Sequence, residues 1–529
     1  MPEQRKRTLS HRLGVTRAGG RHLTVLLLLA LLNVPFQTYS STNHLQAALR
    51  MINQGNLQQA EREARLALDD PESRPVAWAA LGTIRLQQNK YDEGVEFLQK
   101  ALSLNPRLVG ARISLGGGYL LLGKRTEARE AFREALRAEP NNLNARFDLA
   151  QLESEDANYK VSLEVAKPVV DELQRSPDGL VLLATDYAGL QLKDSIQALL
   201  PPWKALGDPP IDLTVRFASL LIKNGLAPDA VEILEKAKAV NPASFQLTFA
   251  LGSGYIAAGR VDPATESYEA ALKLKGDCVP CLTEIARISE QQGNTEKALA
   301  YLIRAKRIEP ENPEILFRLG RVCLERDLFD DAMDSLQKAA ALRPDNDSFL
   351  YVLGSAQVAK RKYKEAETIF KTLLAKHPSD AVLNYALGSV LYLDENLDEA
   401  KKYLQKSVDL PPDQRAAHYY LGLIVERQDA EEASRIFSDL IQRYPDYAAP
   451  YVALGTLLVK QKRFPDAEKI LKKAVQLDPD SVKAHYQLGM ALGRMGKAEE
   501  AHQQMEIAQK LELEERNKDA LQLHLLMPD

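Results

Sequence analysis

Residues 75–108 read PVAWAALGTIRLQQNKYDEGVEFLQKALSLNPRL, and the spacing of their apolar and small residues decides the fold. Trp78, Leu81, Gly82 and Arg85 stand at i, i+3, i+4 and i+7, one stripe of a helix. Gln88-Asn89-Lys90 breaks that stripe as a turn, and a second stripe runs through Tyr91, Gly94, Leu98 and Ala101. Pro106 ends it, because proline has no N–H to donate and its ring clashes with the turn before it. The segment therefore predicts two antiparallel helices.

Working outward, the Leu81-Gly82 step recurs along the chain from Ala47-Ala48 to Leu488-Gly489. Each interval is 34 residues except Leu421 to Leu454, which is 33. A fixed period of this size means stacked units, each unable to bury its apolar stripe alone. The array runs from about residue 41 to about 515 and leaves no stretch for a catalytic domain. Gly82 and Gly94 are expected where the two helices cross, and Ala101 with its equivalents (Ala67, Ala135, Ala237, Ala271, Ala305, Ala339, Ala474, Ala508) is expected against the next unit. Glycine inside a helix costs about 0.5–1 kcal/mol relative to Ala, so its recurrence needs such a packing reason.

The pattern W-x2-L-G-x2-Y…A-x3-F…P at this period resembles the tetratricopeptide repeat family over about nine-tenths of the chain. The resemblance implies an all-α, right-handed superhelical solenoid of about fourteen helix-turn-helix repeats, whose first helices line a concave groove. A regular block at 41–142 precedes two irregular repeats at 143–210, and a second regular block follows at 211–515. Residues 516–529 would form a capping helix. In the irregular pair, Pro168 and Pro201-Pro202 fall within second helices and Trp203 takes the place of the small Ala, so kinked or shortened helices are expected. The pair reads as drifted repeats packed by a different local solution, with a hinge or partner-binding bulge as the functional alternative.

Two residues before the Leu-Gly step, many repeats carry an aromatic: Phe147, Phe249, Phe317, Tyr351, Tyr385, Tyr419 and Tyr486. The resemblance implies that this position faces the groove. Phe249, Phe317, Arg321, Tyr351, Tyr385, Tyr419 and Tyr486 are therefore the candidate partner-binding set, since rings bury large areas at small entropic cost. The alternative is that the rings pack on neighbouring first helices. Two specialised forms of the family do not fit. The pairs Ile113/Gly117, Phe317/Arg321 and Tyr351/Ser355 lack the Lys/Asn clamp for C-terminal carboxylates, and the asparagine ladder of O-linked N-acetylglucosamine transferase is missing at Ala80, Ser114, Arg318 and Val352.

No constellation points to catalysis or to a cofactor. The eight histidines are scattered, Gly116-Gly117-Gly118 fails the phosphate-loop pattern, and Cys278-Val279-Pro280-Cys281 has no second pair to complete a zinc site. A local Cys278–Cys281 disulfide or two free thiols both remain open, and Cys323 on a helix stripe reads as core.

Residues 1–40 are a different text. Six Lys/Arg precede an apolar run from Leu23 to Phe36, followed by Thr38, Ser40 and Ser41. That order reads as an export signal cleaved near Ser40, with an uncleaved membrane anchor as the alternative, because the run is shorter than the ~20 residues a spanning helix needs. The chain carries a net charge of −4 although its leader is basic. The repeats are therefore acidic and poorly suited to nucleic acid. The expected function is a non-enzymatic, extracytoplasmic scaffold for protein or peptide partners, touching a membrane only through an uncleaved leader. The second expectation is an accessory subunit of a polysaccharide export, synthesis or secretion complex.

Overall fold

The computed structural model of the chain describes residues 43–517. The expected leader and most of the expected capping helix lie outside these residues; 516 and 517 continue the helix Ala498–Asn517. The described residues are helical hairpins with no strand among them, and no described helix is long and apolar enough to cross a membrane. Two compact units divide between Leu274 and Lys275, each holding seven helix pairs. In the reference repeat the pair is Arg74–Gln87 and Tyr91–Leu104.

The small residues of the recurring step sit where the two helices of a pair press together. A Cβ built on Gly82 would come within 2.7 Å of Leu98 Cγ, and one on Gly388 within 2.7 Å of Leu404 Cγ. Side chains there would force the axes apart. Ala67, Ala101, Ala135, Ala271, Ala305, Ala339 and Ala474 are wholly buried. Ala237, in the unit after the irregular pair, is only half-buried.

A second periodic feature lies in the turns. Thirteen described residues have a positive φ, among them Gly55, Asn89, Gly123, Ala157 and Gln191, and each stands one position before the last residue of its inter-helix turn. The chain reverses there through a left-handed residue. The N–H of the following residue then donates back five positions, as Lys90 N–H does to the Arg85 carbonyl at 2.9 Å. The repeat one residue short, 415–447, is the one that lacks this residue. Its turn Arg427–Gln428–Asp429 goes without it, and the Asp429 side chain accepts instead from the Glu431 and Glu432 N–H groups at 3.0 and 2.9 Å. Six of the thirteen are Gly; the other seven carry a Cβ in a region that costs about 1–2 kcal/mol. Ala157→Gly and Lys462→Gly should each raise stability by about 0.5–1 kcal/mol after the flexibility Gly adds to the unfolded chain is subtracted. A lower urea midpoint in either variant contradicts this account of the turn.

Both second helices of the irregular repeats are broken. Tyr159–Ala166 stops at the 3-10 turn Lys167–Val169, which contains Pro168, before the short helix Val170–Leu173. The next repeat has Lys193–Gln197 and then Leu200–Ala205, with Pro201 and Pro202 in the opening turn, where a missing N–H costs little. The core is nevertheless continuous. Trp203, 3% exposed on the fragment Leu200–Ala205, stacks on Phe217 of the following repeat with ring centroids 4.1 Å apart. Gly179 lies so close to the Leu173 carbonyl that no side chain fits there. Asp186 is buried in the same region, with its Oδ2 2.5 Å from the Ser162 hydroxyl.

Candidate functional site

First helices of successive pairs also touch one another, all through the first unit and, in the second, along the row Ala381–Leu393, Arg415–Glu426, Ala448–Lys460 and Val482–Arg494, with Pro313–Glu325 against Asp347–Ala359. The aromatic position lies on these helices, but its rings meet different surroundings. Phe317 stacks on Phe349 of the next repeat at 4.4 Å. Tyr351 meets Phe370 edge-on at 5.6 Å, and Phe249 meets Tyr268 at 5.5 Å. Tyr419 contacts Tyr420, Phe437 and Tyr447 at 5.9, 5.9 and 6.0 Å. Tyr385 packs against Tyr420 at 6.2 Å and is only 2% exposed, whereas Tyr486 is 47% exposed. Phe147 is buried, and Phe249, Phe317, Tyr351 and Tyr419 are half-buried. Most of the ring area thus rests on second helices and adjoining repeats, and a minority of it faces outward.

Sequence reasoning did not single out Tyr392, Tyr420 and Tyr447, which join Tyr385 and Tyr419 in one cluster of rings in edge or tilted contact. The adjacent pair Tyr419-Tyr420 was the available signal. Burial raises the phenol of Tyr447 to about 12 and those of Tyr351, Tyr385, Tyr419 and Tyr420 beyond the usual tyrosine range, so all of them stay protonated at any physiological pH. The guanidinium of Arg415 lies over the Tyr447 ring at 5.0 Å.

Arg321 is held rather than free. It donates to Glu290 Oε2 at 3.0 Å, while Arg318 donates to Glu290 Oε1 at 2.6 Å and to the Thr283 carbonyl at 3.0 Å. This network ties the helix Pro313–Glu325 to its predecessor Val279–Gln291. Burial raises the Glu325 carboxyl nearby, and Arg321 partly offsets that rise. Cys278 and Cys281 are joined in a disulfide at the start of Val279–Gln291, and Cys323 is buried as a free thiol. In the first unit, an open cleft of about 400 Å³ lies between fragments of the broken helices, lined by Asp171, Gln174, Arg175, Pro202, Ala205 and Leu206.

Against known families, the chain matches "Tetratricopeptide repeat" models at residues 289–354, 324–390, 357–424 and 425–475. A "TPR repeat" model matches 455–496, and a "Tetratricopeptide repeat-like domain" matches 33–156. The chain belongs to the tetratricopeptide repeat family. Among curated tetratricopeptide repeat relatives it is similar to anaphase-promoting complex subunit 7 of Mus musculus, 24% identical over 253 residues, which is 46% of this chain and 44% of that protein. It is also similar to the protein CTR9 homolog of Arabidopsis thaliana, 20% identical over 291 residues, 52% of this chain and 26% of that one. The chain therefore spans less than half the length of these relatives. Among solved structures it is similar to MamA from Desulfovibrio magneticus RS-1, at 28% identity over 31% of this chain and 93% of that one, with a TM-score of 0.29.

Proposed function

We propose that this tetratricopeptide repeat chain is a non-enzymatic scaffold that takes a peptide segment of a protein partner along the first helices of its second unit. The observation that carries this is the run of half-buried and exposed side chains on those helices: Phe317, Arg321, Tyr351, Tyr419 and Tyr486. Their ring edges and one guanidinium are presented at regular spacing from a rigid helical bed, so little ordering entropy is lost on contact. We further propose that the chain works outside the cytoplasm. The basic-then-apolar leader supports that setting, and so does a disulfide, which persists in oxidising compartments.

The test is selection of linear peptides on the full chain from a random display library, followed by titration of the enriched peptides. The triple variant Phe317→Ala, Arg321→Ala, Tyr486→Ala should bind them at least tenfold more weakly, about 1.4 kcal/mol, with helical content preserved. Undiminished binding by the folded variant rules out these side chains as the docking surface. N-terminal sequencing of the protein from an extracytoplasmic fraction should begin near Ser41; recovery of the chain only from the cytoplasm overturns the export proposal.

A further inference from the structure

The N-caps of the first helices also follow the repeat. Asn142, Ser176, Ser244, Asn312, Asn346 and Asp380 stand at the same repeat position, and each side-chain oxygen accepts from the N–H three residues on. At this position the first helix of the second unit has Cys278, whose sulfur stands 3.1 Å from the Cys281 N–H. Sulfur is a weak acceptor, so this cap is poorer than its equivalents. The disulfide joins the same two residues, N-cap to third helical position, and does covalently what the oxygen does elsewhere.

We propose that the Cys278–Cys281 disulfide is a redox-sensitive clip on the helix Val279–Gln291, and that its opening by a dithiol loosens the Arg318–Glu290–Arg321 network. The bridge closes a loop too short to remove much entropy from the unfolded chain, so its effect is local: it restrains fraying of one helix start. That start matters because Thr283, two residues past Cys281, gives its carbonyl to Arg318, and Glu290 in the same helix holds both Arg318 and Arg321.

Opening is an exchange. A dithiolate attacks one sulfur, a mixed disulfide forms and resolves, the reagent leaves as its cyclic disulfide, and Cys278 and Cys281 end as two thiols after taking up two electrons and two protons. Both sulfur-bearing residues are buried, Cys278 at 4% and Cys281 at 0%, so attack waits on local opening of the helix start. Cys323 does not compete as an attacking thiolate. Burial pushes its thiol up to about 11, which keeps it protonated.

The experiment compares hydrogen exchange of the full chain with and without dithiothreitol, with alkylation and mass measurement to count thiols. The untreated protein should expose only Cys323 to alkylation after unfolding. Reduction should speed exchange of the amides at 281–285 at least tenfold and of those at 318–321 by a smaller factor, and leave 451–458 unchanged. The variant Cys278→Ser, Cys281→Ala regains a capping oxygen and should show native protection that dithiothreitol does not alter. Three free thiols in the untreated protein, or unchanged exchange at 281–285 on reduction, overturns the proposal without recourse to the variant.

Discussion

Tyr385→Ala is expected to destabilise its part of the array by about 3–5 kcal/mol, the range for removing a large buried ring, while Tyr486→Ala changes stability by no more than about 0.5 kcal/mol. The two tyrosines occupy the same repeat position, so helix propensity and sequence context nearly cancel in the comparison. Their surroundings differ: Tyr385 is 2% exposed beside Tyr420, and Tyr486 is 47% exposed. The stability of a stacked array is close to a sum of local terms, so a single melting temperature dilutes the effect. Hydrogen exchange across the helices Ala381–Leu393 and Leu397–Val408 reads it directly. Native protection there in Tyr385→Ala would show that the ring is not core, and would return it to the set available for a partner. For the same reason, loss of binding in a variant truncated at Tyr385 does not by itself locate a binding surface, and the docking test above leaves that residue intact.

The repeat was legible because it is written in packing constraints that only the smallest residues satisfy. Gly388 against Leu404 leaves no room for a Cβ, and the units with Ala there, such as Ala150 and Ala218, bury it completely, so a residue no larger than Ala returns in every unit. The turn series was written in weaker letters. Gly marks it at Gly55, Gly123, Gly225, Gly259, Gly293 and Gly496, but Arg361, Glu395 and Lys462 hold the same conformation and carry no local signal for it. The prolines at 168, 201 and 202 announced broken helices, but the stacking of Trp203 on Phe217 depends on a partner in the following repeat. Burial of the aromatic row was illegible for a related reason: whether a ring is covered depends on what the neighbouring units contribute, and Tyr385 and Tyr486 are alike in sequence. The Cys278–Cys281 spacing was compatible with two thiols or one bridge, and the helix start that brings their Cα atoms to 5.3 Å is what puts a bridge within reach.

Asp186 had no signature in sequence, and it yields the second large effect. Burial pushes its carboxyl from 3.8 to about 6, with the hydroxyls of Ser154 and Ser162 only partly opposing the shift. The geometry explains why they fall short. The Ser162 hydroxyl lies 2.5 Å from Asp186 Oδ2 and 2.8 Å from the Ala150 carbonyl, yet it has one proton to give, and Asp186 Oδ1 finds no partner among the described residues. A protonated Asp186 resolves this, because it can donate to Ser162 while Ser162 donates to Ala150. The folded chain therefore binds this proton more tightly than the unfolded chain, so stability is fully present below about pH 4 for this group, falls as pH rises to about 6, and is flat above. The shift corresponds to about 3 kcal/mol lost at neutral pH. Asp186→Asn, neutral throughout and close in shape, should remove this group's share of the slope between pH 4 and 6, leaving that of Asp148, whose carboxyl burial raises to about 7, and stabilise the broken-helix repeats by about 3 kcal/mol at pH 7.5. Urea unfolding of both proteins, followed by hydrogen exchange over the helix Pro177–Gly189, checks both parts. A slope as steep in the variant as in the parent, or a variant weaker than the parent at pH 7.5, would mean that the buried carboxylate is already satisfied by groups other than the two serines.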